Sequence, residues 1–389
     1  MKQTNHILTF IFLYFTLVAT ESLLPAESIA SQNGKADPDS TTVWYDCKLL
    51  TVDGKGWTDT ETYYDRLPAK AKETVRAAVW NISHNTAGMC VRFTTDATSI
   101  QVRWTLLRKN LAMPHMPATG VSGVDLYSKS KTGRWYFLGN GRPTGVSNNA
   151  SFNLVHDKEC MLYLPLYNGV KSVEIGIPKN RTISKSIESS RKQQRPIVFY
   201  GTSITQGGCA SRPGLACAAI VGRQLDVSII NLGFSGNGWM EQEMADLLAE
   251  LDPAAYVLDC LWNMSSDMVS ERVKPFVKRL REARPKTPIL LVEDSSVRNL
   301  TPTAKGRILR TIYEELTAQG ITNLYFLANQ GMLGEDGEGT VDGCHPNDLG
   351  MMRQAAIFTK SLAQILQTSG QETSNKPVLS DSEKGVILP

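Results

Sequence analysis

The segment IVFYGTSITQGG (Ile197–Gly208) runs as an apolar strand into a glycine, a threonine and a serine. A serine at that place either belongs to a plain strand-to-helix turn or serves as a nucleophile, and a nucleophilic serine needs a base to take its proton. The chain has five histidines, His6, His84, His115, His156 and His345, and only His345 lies in the same half as Ser203. Asp342 precedes it by three residues in VDGCHPND, so one tight turn brings a carboxylate against the imidazole, fixing its tautomer and stabilising the imidazolium. Acyl transfer also needs donors for a developing oxyanion. Three are on offer: the backbone N–H of Ser203, the N–H of Gly236 in NLGFSGNG, where glycine lets the backbone approach a substrate, and the side-chain amide of Asn263 in DCLWNM. Asn263 and His345 have plainer readings, since an Asn after a strand often caps a turn and a lone His is often only a packed or surface residue. Neither GTSIT nor GFSGN is a G-x-S-x-G elbow, and no G-x-G-x-x-G follows the first strand, so dinucleotide binding has no support.

These residues need a common frame. From Pro196 onward apolar strands alternate with helices: PIVFY, LACAAIVGRQL, VSIINLG, MEQEMADLLAEL, AAYVLDCL, MVSERVKPFVKRLREA, PILLVED, PTAKGRILRTIYEELTAQG, LYFLAN and DLGMMRQAAIFTKSLAQILQ. The pattern predicts a five-stranded parallel sheet covered on both faces, with Pro275 near the first turns of its helix or at a kink. Ligands bind beyond the carboxyl ends of such strands, and Ser203, Gly236, Asn263 and the Asp342/His345 pair all follow strands. Residues 40–180 read differently. CVRFTTD, SIQVRWTL, GVDLYSK, RWYFLG, CMLYLPL and SVEIGI are short strand-like runs between turn residues, which predicts a β-sandwich of jelly-roll type. The polar stretch Lys179–Pro196 reads as a linker.

The chain of 389 residues is 42% hydrophobic and 20% charged, with a net charge of +3. That charge is too mild and too evenly spread for nucleic acid or an anionic membrane. Lys2 followed by the apolar run Ile7–Ala19 reads as a signal peptide cleaved after Ala30, with a membrane anchor as the alternative. Export to the periplasm or the extracellular space follows. The expected organisation is residues 1–30 signal peptide, 31–190 sandwich and linker, 191–368 α/β domain and 369–389 a loose polar tail. Seven cysteines at low density do not form a disulfide framework; Cys209–Cys217 is a candidate bridge and buried free thiols are the other reading. No Cys/His pair has metal-ligand spacing along the chain.

In order and spacing, YGTSITQGG, NLGFSGNG, DCLWNM and DGCHPND resemble the four blocks of the SGNH hydrolases, also called the GDSL esterase/lipase superfamily. GVDLY (Gly123–Tyr127) resembles the Gly-x-Asp-Leu-Tyr element of the β-rich domain that precedes some bacterial members. The resemblance implies a three-layer flavodoxin-like α/β domain and two-step acyl transfer at Ser203, with His345 as base and Asp342 as its partner. It implies no metal or cofactor. Thr202 stands where the family has Asp and Ile204 where it has Leu; Thr202 is placed beside the substrate. Trp262 stands in place of a glycine before Asn263, putting a ring at the rim that favours a small acyl group. The expected activity is an exported esterase that removes acetyl from carbohydrate. The alternatives are a lipid esterase or thioesterase, and a non-catalytic glycan-binding protein on a hydrolase scaffold. The loop Lys109–Gly120 is long enough to carry His115 to the site, the glycines at 201, 207 and 208 are expected to clear space for an ester, and Trp80, Trp104, Trp135, Tyr127 and Tyr136 stack either on sugars or in the sandwich core.

Overall fold

The computed structural model describes residues 29, 33–37, 41–154, 159–186, 195–295 and 302–368. The signal-peptide reading, the tail, His156 and the centre of the linker lie outside the described residues, apart from Ile29.

The first half is a two-sheet antiparallel sandwich that also carries two short helices, α1 (Ala77–Ser83) and α2 (Ala118–Val121). Its strands are β1 (Lys35–Ala36), β2 (Thr42–Asp46), β3 (Thr51–Asp53), β4 (Cys90–Thr95), β5 (Ser99–Leu106), β6 (Val124–Lys129), β7 (Trp135–Gly141), β8 (Ser147–Asn153), β9 (Glu159–Tyr163), β10 (Val170–Pro178) and β11 (Ile183–Lys185). One sheet has the order β1-β2-β10-β5-β8, the other β11-β4-β9-β6-β7, with β3 also on β4. In β5 the alternation is complete: Ile100, Val102, Trp104 and Leu106 are buried and their neighbours half-exposed, so one face enters the shared core. The supposed linker is partly strand, because β11 pairs with β4.

The second half is the expected three-layer α/β domain. Strands β12 (Ile197–Gly201), β13 (Ile229–Gly233), β14 (Ala255–Asp259), β15 (Ile289–Val292) and β16 (Leu324–Leu327) form a parallel sheet in the order β13-β12-β14-β15-β16. Their residues split by parity. Val198, Tyr200, Ile230, Leu232, Tyr256 and Leu258 meet α5 (Gln242–Glu250), α6 (Ser266–Ala283) and α7 (Ala304–Ala318). Ile197, Phe199, Ile229 and Val257 meet α4 (Cys217–Leu225) and α8 (Asp348–Thr368). Burial on both faces explains why these strands are nearly all apolar. Helix α7 ends in a Schellman motif, with Gly320 at φ 85°, its N–H on Thr317 and that of Ile321 on Leu316. Pro275 lies in the middle of α6 rather than in its first turns.

The two halves share a core. Tyr127, Met161, Tyr163 and Leu166 of the sandwich pack with α4 and α8. Of the aromatics expected either on sugars or in a core, Trp80, Trp104 and Tyr127 are buried in the core, whereas Tyr136 is exposed. The GVDLY element explains part of the junction. Asp125 is fully buried and accepts from Arg212 Nη1 at 2.8 Å, the Gly214 N–H at 2.9 Å and Asn140 Nδ2 at 2.7 Å. Arg212 Nη1 also donates to the Tyr127 hydroxyl at 2.6 Å, and a Cβ on Gly214 would stand 2.4 Å from the Tyr127 ring. The motif therefore clamps the turn that leads into α4.

Candidate active site

Strand β12 ends at Gly201, and Thr202 then caps a single helical turn, α3 (Ser203–Gln206), its side chain accepting from the Ile204 N–H at 3.2 Å. Thr202 is 1% exposed and committed to that cap, so it is a structural residue and not the substrate contact expected from the sequence. As the first helical residue, Ser203 has an N–H with no intrahelical acceptor. Its carbonyl is heavily used, accepting from the Gly207 N–H at 3.1 Å, the Gly208 N–H at 2.7 Å and the Tyr167 hydroxyl at 3.0 Å. The serine is thereby fixed from the helical turn and from the sandwich together.

The glycines have a reason other than room for an ester. Gly207 closes α3 at φ 103°, in the left-handed region. A Cβ on Gly201 would stand 2.1 Å from Thr205 Oγ1, and one on Gly208 would stand 2.8 Å from the Tyr167 hydroxyl and 3.2 Å from His345 Cδ2. They let the turn, Tyr167 and the imidazole close on each other.

His345 arrives on the loop between β16 and α8. The Val341 N–H donates to the His345 carbonyl at 2.9 Å, and Gly343 takes φ 84° in between, making the tight turn that DGCH predicts. Asp342 Oδ1 accepts from the backbone N–H of Cys344 at 3.0 Å and of His345 at 2.8 Å, and Asp342 Oδ2 lies 2.7 Å from His345 Nδ1. Partial burial opposes the charge on Asp342, but the backbone and imidazole bonds outweigh it and hold the carboxyl down to about 2. An ionised carboxylate only accepts, so Nδ1 carries a proton, and in the neutral imidazole Nε2 presents its lone pair. Ser203 Oγ lies 2.8 Å from that Nε2 and donates to it. Ser203, His345 and Asp342 thus form one continuous chain of hydrogen bonds, with the serine 6% exposed at the rim of the sheet.

The two other oxyanion candidates lie on neighbouring loops. Gly236, past β13, is exposed at φ 71° with nothing within 4 Å of a would-be Cβ, so conformation rather than crowding accounts for glycine there. Asn263 lies in the short turn Leu261–Asn263 past β14, and its Oδ1 accepts from the Gly238 N–H at 3.3 Å. That bond turns the amide so that Nδ2 is the free end, without an acceptor among the described residues. Beside it, Trp262 donates its indole N–H to Ser295 Oγ at 3.1 Å, which fixes the ring at the rim.

His115 does reach the site. Met113 and Met116 exchange backbone hydrogen bonds of 3.0 and 3.1 Å, forming a turn that presents the exposed His115 with its ring centroid 5.6 Å from that of His345. Sequence reading missed Tyr167 and Arg66. Arg66 is buried and donates to the carbonyls of Asn231, Gly233 and Ile82, bracing the end of β13; nothing in its local sequence marks either residue. The Cys209–Cys217 bridge is absent: both thiols are free and buried.

Residues 194–363 match the family model of GDSL-like lipases and acylhydrolases, and residues 42–183 match that of the GxDLY N-terminus of SGNH-hydrolase-type esterases. Among solved structures, the chain is 35% identical to a GDSL-like lipase from Bacteroides ovatus, covering 84% of this chain and 98% of that one with a TM-score of 0.77. The salicylyl-acyltransferase SsfX3 of a tetracycline biosynthetic pathway shares the fold at 19% identity, a TM-score of 0.63 and coverage of 89% and 98%. A family two carbohydrate esterase from Cellvibrio japonicus shares it at 11% identity, a TM-score of 0.54 and coverage of 84% and 98%. No curated protein matches.

Proposed function

The chain belongs to the GDSL-like lipase/acylhydrolase family, with the GxDLY domain of SGNH-type esterases ahead of the hydrolase domain, and on that premise we propose that it is an exported serine esterase that removes small acyl groups, acetyl above all, from carbohydrate. The observation that carries the esterase reading is the Ser203–His345–Asp342 chain with Nε2 free to accept a proton. In this reading Ser203 Oγ attacks the ester carbonyl carbon while its proton passes to His345 Nε2. The oxyanion is met by the N–H groups of Ser203 and Gly236 and by Asn263 Nδ2. The tetrahedral intermediate collapses as His345 gives its proton to the leaving alcohol oxygen. Water, deprotonated by the same imidazole, then hydrolyses the acyl-enzyme.

The small-acyl preference rests on Trp262, whose ring is tied to Ser295 next to Asn263. The carbohydrate preference is supported by the shared fold of family two carbohydrate esterases and by the junction of two domains at the site, a usual place for a cleft. Export rests on the apolar run after Lys2. The test is a substrate panel. Acetylated oligosaccharides and polysaccharides are expected to release acetate, and synthetic acetyl esters are expected to turn over faster than octanoyl esters. Faster cleavage of octanoyl esters or of thioesters selects the lipid-esterase reading. Turnover of no ester, with retained glycan binding, selects a non-catalytic role.

A further inference from the structure

No cysteine and histidine of this chain have metal-ligand spacing in sequence, yet the fold assembles such a set in space. One ligand atom each from His115, Cys209 and His345 lies within 4.8 Å of the other two. They come from three separate places: the Met113–Met116 turn of the sandwich, the residue just past Gly208, and the DGCH turn. We propose that His115, Cys209 and His345 form a binding site for a borderline divalent cation that takes nitrogen and sulfur donors, Zn²⁺ being the probe of choice, and that its occupation switches the hydrolase centre off.

The donor set suits that ion. Two imidazole nitrogens and a cysteine sulfur that gives up its proton on binding are what zinc takes in tetrahedral sites, with Zn–N near 2.0–2.1 Å and Zn–S near 2.3 Å, which puts neighbouring donors about 3.3–3.6 Å apart. The present spread closes to that with movements of about an ångström, and His115 is exposed on a surface turn that can supply them. The other two donors are already fixed. Cys209 is 5% exposed and held at φ 70°, a conformation unusual for a residue with a side chain. His345 has Nδ1 committed to Asp342, so Nε2 is its available donor. A carboxylate on the far nitrogen of a ligating imidazole is the usual support for a metal-bound histidine.

The consequence for chemistry follows from that nitrogen. Nε2 also takes the proton of Ser203, whose Oγ lies 2.8 Å away. A cation on its lone pair removes the base, and leaves the serine hydroxyl or a water as fourth ligand. This part rests on the esterase reading; the metal site itself does not.

The experiment uses the metal-free full chain. Co²⁺ titration is expected to give a thiolate-to-metal charge-transfer band, lost in Cys209→Ser and kept in Ser203→Ala. Zn²⁺ is expected to inhibit turnover of a synthetic acetyl ester, reversibly on adding EDTA. With each variant scored against its own metal-free rate, His115→Ala and Cys209→Ser should need at least about tenfold more zinc for half-inhibition. Absence of the band, or equal zinc sensitivity in the wild type and both variants, overturns the proposal. A protein that shows the band but hydrolyses no ester has the metal site and refutes the esterase reading.

Discussion

The Tyr167 hydroxyl donates to the main-chain carbonyl of Ser203 at 3.0 Å, so a residue of the sandwich holds the candidate nucleophile by its own backbone. Tyr167→Phe removes one hydrogen bond and little volume. Such a bond is worth about 1 kcal/mol net, so kcat on an acetyl ester is expected to fall about fivefold with KM nearly unchanged. A loss confined to KM would show that Tyr167 contacts substrate instead of positioning Ser203.

Ser203→Ala removes the attacking oxygen and one partner of His345 Nε2. Esterase turnover is expected to drop by at least ~10⁴-fold, while the far-ultraviolet circular dichroism stays that of the wild type. Activity within tenfold of wild type would assign the nucleophile to another residue.

Asp342 is held down to about 2, against the opposing effect of burial, by the backbone bonds of His345 and Cys344 and by the imidazole. Its folded value lies below the unfolded one, so its contribution to stability is present above about pH 4 and fades as pH falls toward 2. The wild-type pH–rate profile is therefore expected to show no inflection near pH 4. Asp342→Asn is expected to lower kcat by about 10²–10⁴-fold, and steady-state kinetics across pH 3–9 checks both statements.

Asp259, at the end of β14, behaves in the opposite way. Burial raises its carboxyl to about 6, Asp294 adds to the rise, and the Thr205 hydroxyl, donating at 2.9 Å, works against it. Its folded value exceeds the unfolded one, so the neutral form stabilises the fold below about pH 4. That gain is lost as pH rises through about 6, and the charge is a cost beyond it. Asp259→Asn keeps an acceptor for Thr205 and is expected to raise Tm at pH 7.5, with the gain shrinking toward zero at pH 4. A pH-independent change would show that the carboxylate is effectively solvated.

Arg212 and the fully buried Asp125 form the charged centre of the domain clamp at 2.8 Å. Arg212→Ala leaves Asp125 buried without its counter-ion and is expected to cost about 3–5 kcal/mol, read by urea unfolding. Asp125→Asn keeps the shape and is expected to cost less. Equal and small losses would mean that the junction is held by apolar packing alone.

The parallel sheet was legible because strands buried on both faces are continuous apolar runs and the helices between them are amphipathic. In the sandwich, SIQVRWTL was legible through its alternation, whereas β8, reading SNNASFN, was not. Only Asn148 and Phe152 of that strand are buried, and an Asn turned inward to cap the Thr144 and Gly145 N–H groups carries no apolar signal. Ser203, Gly236, Asn263, Asp342 and His345 could be located because each follows a strand of one sheet. Tyr167 and Arg66 could not, because their roles are bonds to main-chain carbonyls far along the chain, Ser203 for Tyr167 and Asn231 and Gly233 for Arg66, and those partners have no side-chain identity to read. Thr202 misled for a related reason: the capping geometry that seats Ser203 also buries its neighbour.

The clamp between Asp125, Tyr127, Arg212 and Gly214 sets terms for anyone recombining this protein with its relatives. A chimera joined in the polar stretch between the halves inherits its lock and its key from different parents. It is expected to assemble only when the acidic–aromatic pair on one side and the arginine–glycine turn on the other are transplanted as a matched set. Homologues that share the hydrolase half alone are therefore poor donors for it, however similar their nucleophile loops.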